Sequence, residues 1–216
     1  MKSLGNFPDP FPTAPRVALT FDAEHPDRPW RSSENAERIL DHLAERGVAA
    51  TFFVQGRWAE SQPETARRIA VDGHLVGNHS KYHARMTLFT DEGLRTDVRE
   101  AAEAIYDIIG TDPKPWFRCP FGDGHGDERV QGPLAELGYR DVHWDVALED
   151  WEPWRDAAAI SRDAIEGVRA HGDGAVVLLH TWPDGTHGAV PPIVDGLRAD
   201  GFRFVRLDEL PEEALP

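Results

Sequence analysis

Short apolar runs alternate along the chain with stretches of helical periodicity. The first run, Val17-Ala18-Leu19-Thr20-Phe21, is short and unbroken, as a strand buried on both faces should be. Ile39, Leu40 and Leu43 share one helical face, so residues 34–46 are predicted helical, with Ser32 or Ser33 as N-cap and Gly47 just past the end. Residues 48–54 (VAATFFV) form the second strand, 63–72 a short helix stopped by Gly73, and 74–77 a short strand opening into a loop over 79–89. Thr90 and Gly110 bracket the longest predicted helix, 91–109. Beyond it the pattern predicts strand 116–118, helix 128–137 closed by Gly138, strand 139–144, helix 157–171, strand 175–179, helix 190–200 and a last strand at 202–205.

About seven strands alternating with helices imply an α/β fold of parallel strands joined by right-handed crossovers. Polar residues punctuate these runs in a fixed order: Asp22 and Glu24, His79 and His83, Arg118, Asp150, His180. Strand ends are where α/β proteins place active sites. If residues from so many strand ends are to converge, the sheet must curl, so the expected fold is a distorted (β/α) barrel of fewer than eight units in a single domain. That domain is expected over 16–210, with an N-terminal tether (1–15) and a C-terminal tail (211–216), both rich in Pro.

Composition narrows the partners. The chain has 216 residues, 40% hydrophobic and 28% charged, as in an ordinary globule. Its 23 Lys and Arg against 38 Asp and Glu leave a formal charge of -15, which argues against nucleic acid and anionic membranes as partners. A neutral carbohydrate or small amide remains a fitting substrate. Cys119 is the single cysteine, which excludes an intrachain disulfide framework and a Cys-rich zinc site. No run approaches the ~20 apolar residues of a membrane span, and no apolar leader core is visible, so the expected location is cytoplasmic.

The candidate chemistry has ordinary alternatives. His79 and His83 are four apart; on a helical turn both imidazoles would reach one metal, yet such pairs are often plain surface histidines. Here Gly73, Gly77, Asn78 and Ser80 suggest a tight turn after a strand instead of a solvated helix face. Asp22 could be only a helix cap, but Glu24 and His25 follow at once, and Pro26 and Pro29 argue against an immediate helix. Carboxylates so crowded need a cation or an arginine, and Arg118 is a candidate partner. His180 ends a very apolar run and reads either as a satisfied core histidine or as a general acid whose tautomer Asp150 fixes. Trp144, Trp151, Trp154 and Trp182 are either core or flat faces at a site rim, and Cys119 reads best as a small buried hydrophobe.

Taken in order, these stretches resemble the NodB-homology polysaccharide deacetylases (carbohydrate esterase family 4). Thr20-Phe21-Asp22 is similar to the start of the family's TFDD motif, and His79-Ser80-Lys81-Tyr82-His83 to H[ST]xxH. Arg118-Cys119-Pro120-Phe121 is similar to RxP[YF], Trp144-Asp145 through Asp150-Trp151 to the DxxDW region, and Leu178-Leu179-His180 to LxH. The resemblance implies a distorted barrel and metal-dependent removal of an N-acetyl group from an N-acetylated sugar or oligosaccharide. It further implies Asp22 as general base toward the attacking water, oriented by Arg118. His180 would be the acid that protonates the leaving amine, oriented by Asp150, and the backbone N–H of Phe121 would bind the oxyanion. His79 and His83 would be ligands of a divalent metal, with zinc the best fit and cobalt or nickel as alternatives. The family's second Asp is Ala23 here, so the third ligand falls to Glu24, with Asp22 and His25 as alternatives. Three readings follow: a sugar N-deacetylase; a hydrolase of a non-sugar, possibly cyclic, amide on the same scaffold; and a non-catalytic sugar-binding derivative motivated by Ala23.

Overall fold

The computed structural model describes residues 14–25 and 34–216. The central strand, β1 (Arg16–Ala23), alternates cleanly between two environments. Val17, Leu19, Phe21 and Ala23 face the helical layer, whereas Ala18 faces the concave interior with Phe53 and Val176. Thr20 and Asp22 share the face of Ala18, because the side-chain period of a strand is two.

Parallel pairing extends the sheet from β1 through β2 (Thr51–Val54), β3 (Leu75–Asn78), β4 (Trp116–Phe117) and β5 (Arg140–Asp141) on one side. On the other side lie β7 (Ala175–His180) and then β6 (Val146–Ala147). The last strand, β8 (Arg203–Phe204), pairs with the first residues of β1, on a stretch of β1 that β2 does not reach. Seven strands thus form one continuous order, β5-β4-β3-β2-β1-β7-β6, with the eighth off the path. No ladder joins β5 to β6 among the described residues, so the sheet is a curled half-barrel and not a closed one.

Seven helices cover the convex face among the described residues: α1 (Asn35–Glu45), α2 (Gly56–Ser61), α3 (Pro63–Val71), α4 (Asp91–Ile109), α5 (Glu128–Glu136), α6 (Ala157–His171) and α7 (Asp184–Ala199). Ile39, Leu40 and Leu43 of α1 are buried completely against β1 and α7, as their spacing requires. Thr90 accepts the N–H of Gly93, and Gly110 closes α4 in the left-handed region, so both expected stops act where they were expected.

The differences from the expected pattern have physical causes. The N-cap position of α1 is Glu34, without a side-chain cap bond; Ser32, Ser33, Pro26, Pro29 and residues 1–13 of the expected tether lie outside the described residues. Helix α2 was not expected, because Gly56 and Ser61 weaken its pattern; it forms by packing on α4, where a Cβ on Gly56 would stand 3.0 Å from the Ala101 Cα. The run 139–144 yields only the two-residue β5, and a separate β6 follows, since the chain must cross the open edge of the half-barrel here. Helix α7 begins at Asp184, six residues before the expected 190, so Pro191 and Pro192 lie in its interior and not in its first turn. Residues 211–216 lie against β5. Arg140 donates to the Glu212 side chain and carbonyl, and His143 N–H donates to the Pro216 carbonyl.

Gly77 sits where β3 passes beneath Phe53. A Cβ there would lie 2.7 Å from the Phe53 ring and 3.1 Å from the Trp116 Cβ. Gly77→Ala is therefore expected to lower stability by about 1–3 kcal/mol, read as a lower urea midpoint at unchanged slope. An unchanged midpoint would show that Phe53 can swing aside freely.

Candidate active site

Neighbouring strand ends deliver the polar residues to one level. Asp22 is the register partner of both Phe53 and His180, Val54 pairs with Asn78, and Asn78 with Phe117. Glu24, His79 and Arg118 are the residues immediately beyond those paired ends. Together with the residues after β6 they surround a cavity of about 320 Å3 lined by Asp22, Glu24, His83, Phe121, Trp144, Trp151, Leu178, His180 and Trp182.

Glu24, His79 and His83 form the one group among the described residues whose donor atoms converge as a metal site requires, all within 4.8 Å of one another. Glu24 Oε2 lies 3.2 Å from His79 Nε2 and in contact with His83 Nε2. The strand period explains the choice of carboxylate. Ala23 faces the helical layer, while Glu24, two positions from Asp22, returns to the concave side. The donor set suits a divalent metal. His79 Nδ1 lies 2.9 Å from the Arg118 carbonyl, which can only accept, so Nδ1 carries a proton and Nε2 is the nitrogen that faces the ligand position. Two imidazoles and one carboxylate match a catalytic site that keeps an open position. Burial disfavours charge on His79, but Asp22 and Glu24 outweigh it and raise its pKa. Burial alone would raise Glu24; hydrogen bonds to His79 and His83 hold it well below the carboxylate range.

His25 does not join this group. Its Nε2 lies 3.2 Å from both the Arg57 carbonyl and Ser61 Oγ, so the His25 alternative for the third ligand is excluded by geometry. Asp22 stands beside the group: Oδ1 accepts from Arg118 at 2.9 Å, and Oδ2 is 3.6 Å from His79 Nε2.

On the other wall, His180 Nδ1 is 2.7 Å from Asp150 Oδ1, and the His180 N–H donates to Asp150 Oδ2 at 2.8 Å. Thr186 Oγ1 also donates to that carboxylate, at 2.7 Å. Burial alone would lower the His180 pKa, but the Asp150 charge and hydrogen bond, helped by Glu24 and Asp22, raise it to about 9. Trp151 packs edge-on against the imidazole at 5.3 Å.

Among the described residues, four non-glycine residues occupy the left-handed region: Ser80, His83, Phe121 and Glu149. All follow strand ends around this cavity, the kind of backbone strain that functional loops retain. The spacing of His79 and His83 therefore works through a left-handed turn, not the helical turn that the spacing alone suggested.

Several supporting residues escaped the sequence. Asp97 of α4 is 3% exposed and accepts the N–H groups of Lys81 (2.9 Å) and Tyr82 (3.2 Å), latching the segment between the two histidines. Burial raises its pKa and the two N–H donors oppose that. Ser80 Oγ accepts the His83 N–H at 2.9 Å. Asn35 donates to the Trp182 carbonyl, and the Trp182 indole to Glu24 Oε1 at 3.1 Å. His143 stacks on Trp144 at 3.7 Å and so backs one cavity wall. An acid at the core face of an amphipathic helix, as Asp97 is, was the one available signal. Of the tryptophans, Trp144, Trp151 and Trp182 line the cavity, and Trp154 is 74% exposed. Cys119 is buried, its thiol pushed up by burial and by Asp141, which matches an inert hydrophobe.

The family model for polysaccharide deacetylase matches residues 11–142. Among curated relatives, the chain is 32% identical over 204 residues to a peptidoglycan-N-acetylglucosamine deacetylase of Listeria monocytogenes, covering 94% of this chain and 40% of that protein. The chain thus spans well under half the length of that relative. A solved family 4 carbohydrate esterase from Streptomyces lividans, in complex with acetate, superposes with a TM-score of 0.76 at 30% identity, over 87% of this chain and 90% of that one. A mutant of a family 4 pseudoenzyme from Bacillus anthracis, with restored enzymatic activity, superposes with a TM-score of 0.81 at 25% identity, over 93% of this chain and 68% of that one.

Replacing Asp97 by Asn would set an amide N–H2 against a backbone N–H and release one end of the histidine turn. Asp97→Asn is expected to cost about 1–3 kcal/mol and to lower the divalent metal bound per chain. Urea melts and metal analysis of the same sample check both; full metal content with a lowered melt would limit Asp97 to stability.

Proposed function

This chain belongs to the polysaccharide deacetylase family, and from that premise we propose that it hydrolyses the N-acetyl amide of an N-acetylated sugar or oligosaccharide. The observation that carries the reading is one cavity lined at once by Asp22, Glu24, His83 and His180, each with a partner that fixes its orientation.

Glu24, His79 and His83 would hold a divalent metal, zinc first and cobalt or nickel as alternatives. Such an ion supplies Lewis acidity toward a carbonyl oxygen and toward water. Asp22 is the general base: Arg118 occupies Oδ1, which leaves Oδ2 to take the proton of the attacking water. His180 is the general acid. Asp150 engages Nδ1 and keeps the ring charged, so Nε2 delivers the proton to the leaving amine. The Phe121 N–H, presented by a left-handed backbone at the cavity wall, joins in binding the oxyanion. Leu178 and the indoles of Trp144, Trp151 and Trp182 exclude water and offer flat faces to a sugar ring. A pure binding module has no use for a buried acid held charged by its own carboxylate, which favours turnover over a non-catalytic role.

A small non-sugar amide is the second reading, favoured by the cavity's modest volume, near the lower end of ligand pockets. Among the described residues no helix is long and apolar enough to cross a membrane.

Acetate release from N-acetylglucosamine oligomers, compared with cyclic imides and acylated amines, separates the two readings. Elemental analysis is expected to find one metal per wild-type chain and a loss of it in Glu24→Ala; retention in that variant would move the third ligand to Asp22. Asp150→Asn removes the largest of the charges that lift His180, so its pKa falls. Since the protonated form is the active one, activity in wild type falls as pH rises through about 9, and in the variant the same fall sets in at lower pH. An unmoved alkaline limb would remove His180 from the acid role.

A further inference from the structure

The replacement of the expected second aspartate by Ala23 leaves Glu24 to complete the metal group, and a glutamate brings a difficulty. It has one more rotatable bond than aspartate, and its two oxygens compete to chelate one ion or to turn toward other donors. In this chain the two oxygens have separate partners. Oε2 faces His79 Nε2 and His83 Nε2, while Oε1 accepts the indole N–H of Trp182 at 3.1 Å.

Trp182 is itself held. Its carbonyl accepts from Asn35 Nδ2 at 2.9 Å, and the same amide donates to Asp184 at the start of α7 at 3.0 Å. Asn35 is 2% exposed and opens α1, so the indole hangs from a point where two helices and the end of β7 meet. Its ring also stands 6.2 Å from that of His180, tilted by 58°.

From this arrangement, and resting on the metal reading given above, we propose that Trp182 is a positioning residue that makes Glu24 a monodentate ligand. Its indole N–H holds Oε1 away from the ion and aims Oε2 into the group with the two histidines. Trp182 thereby fixes a side chain whose extra rotatable bond the backbone alone leaves free to turn. Donors behind a ligand of this kind change metal affinity by about 10–100-fold when removed. The role acts through Glu24 and requires no contact with substrate.

The test uses Trp182→Phe, which keeps an aromatic ring beside His180 and deletes only the N–H and one ring. Apo protein is titrated with Zn2+ alone, in competition with a chromophoric chelator, for wild type, Trp182→Phe, Glu24→Ala and the double variant. The expected result is a zinc affinity about 10–100-fold weaker in Trp182→Phe, and no further loss when the same change is made in Glu24→Ala. The kcat of Trp182→Phe should rise as zinc is raised to saturation, whatever loss of the indole face does to KM. Wild-type affinity in Trp182→Phe, or an equal loss in the Glu24→Ala background, overturns the proposal while leaving the metal reading intact. A wild type that takes up no zinc overturns the metal reading and this one with it. If Trp182→Phe does not fold, the indole N–H resonances of wild type and Glu24→Ala decide. One resonance shifted downfield and protected from exchange in wild type, and lost from that position in Glu24→Ala, supports the bond; identical spectra overturn it.

Discussion

Arg118 is fully enclosed, and a guanidinium inside a half-barrel is tolerable only when its donors are met. Nε donates to the Val142 carbonyl and one terminal nitrogen to the His143 carbonyl, both in the connection that crosses the open edge between β5 and β6. The other terminal nitrogen reaches Thr20 and Asp22 on β1. The guanidinium lies 4.1 Å over the Phe53 ring of β2, and its own carbonyl receives His79 Nδ1 from beyond β3. One side chain therefore links the edge that no ladder closes to Asp22, and its backbone sets the tautomer of His79. Burial pulls its pKa down and Asp22 opposes this, so the pair of charges is mutually dependent.

Around that pin the loops are held by carboxylates and strained backbone. Asp97 latches the turn between the histidines from α4, Asp150 gathers the His180 ring, the His180 N–H and Thr186, and Asp141 receives the Cys119 N–H, His125 and Gln131. Each buried acid collects two or three donors, which is what makes its desolvation bearable. The four left-handed non-glycine residues persist because these bonds over-determine the loops that contain them. The site is thus rigid by construction, with the Glu24, His79 and His83 group, Asp22 and His180 each oriented from a different element of the fold.

Much of this was legible in the chain. The two helices with matching caps and periodicity, 91–109 and 157–171, were placed as they occur, because local propensity and packing agree there. Elements failed where the two disagree. Helix α2 has little local signal and forms on α4; α7 tolerates two prolines because its apolar face is buried against α1 and α6. Of the site, the polar residues at strand ends were visible as interruptions of apolar runs. The choice between Glu24 and His25 was not, since it depends on where the chain turns after β1 and on the Arg57 carbonyl and Ser61 that receive His25.

The sequence by itself determined the α/β order, the strand ends that carry Asp22, Glu24, His79, His83, Arg118, Asp150 and His180, and the period of two that turns Ala23 away and Glu24 inward. These are properties of neighbours along one chain, set by side-chain alternation and apolar runs. It took the packed fold to decide which oxygen of Glu24 meets the histidines, that Trp182 holds the other, and that Asp97 anchors the turn between His79 and His83. Those partners lie 15 to 158 residues apart in sequence. Their meeting follows from strand register and from helices docking on the convex face, which no local pattern encodes.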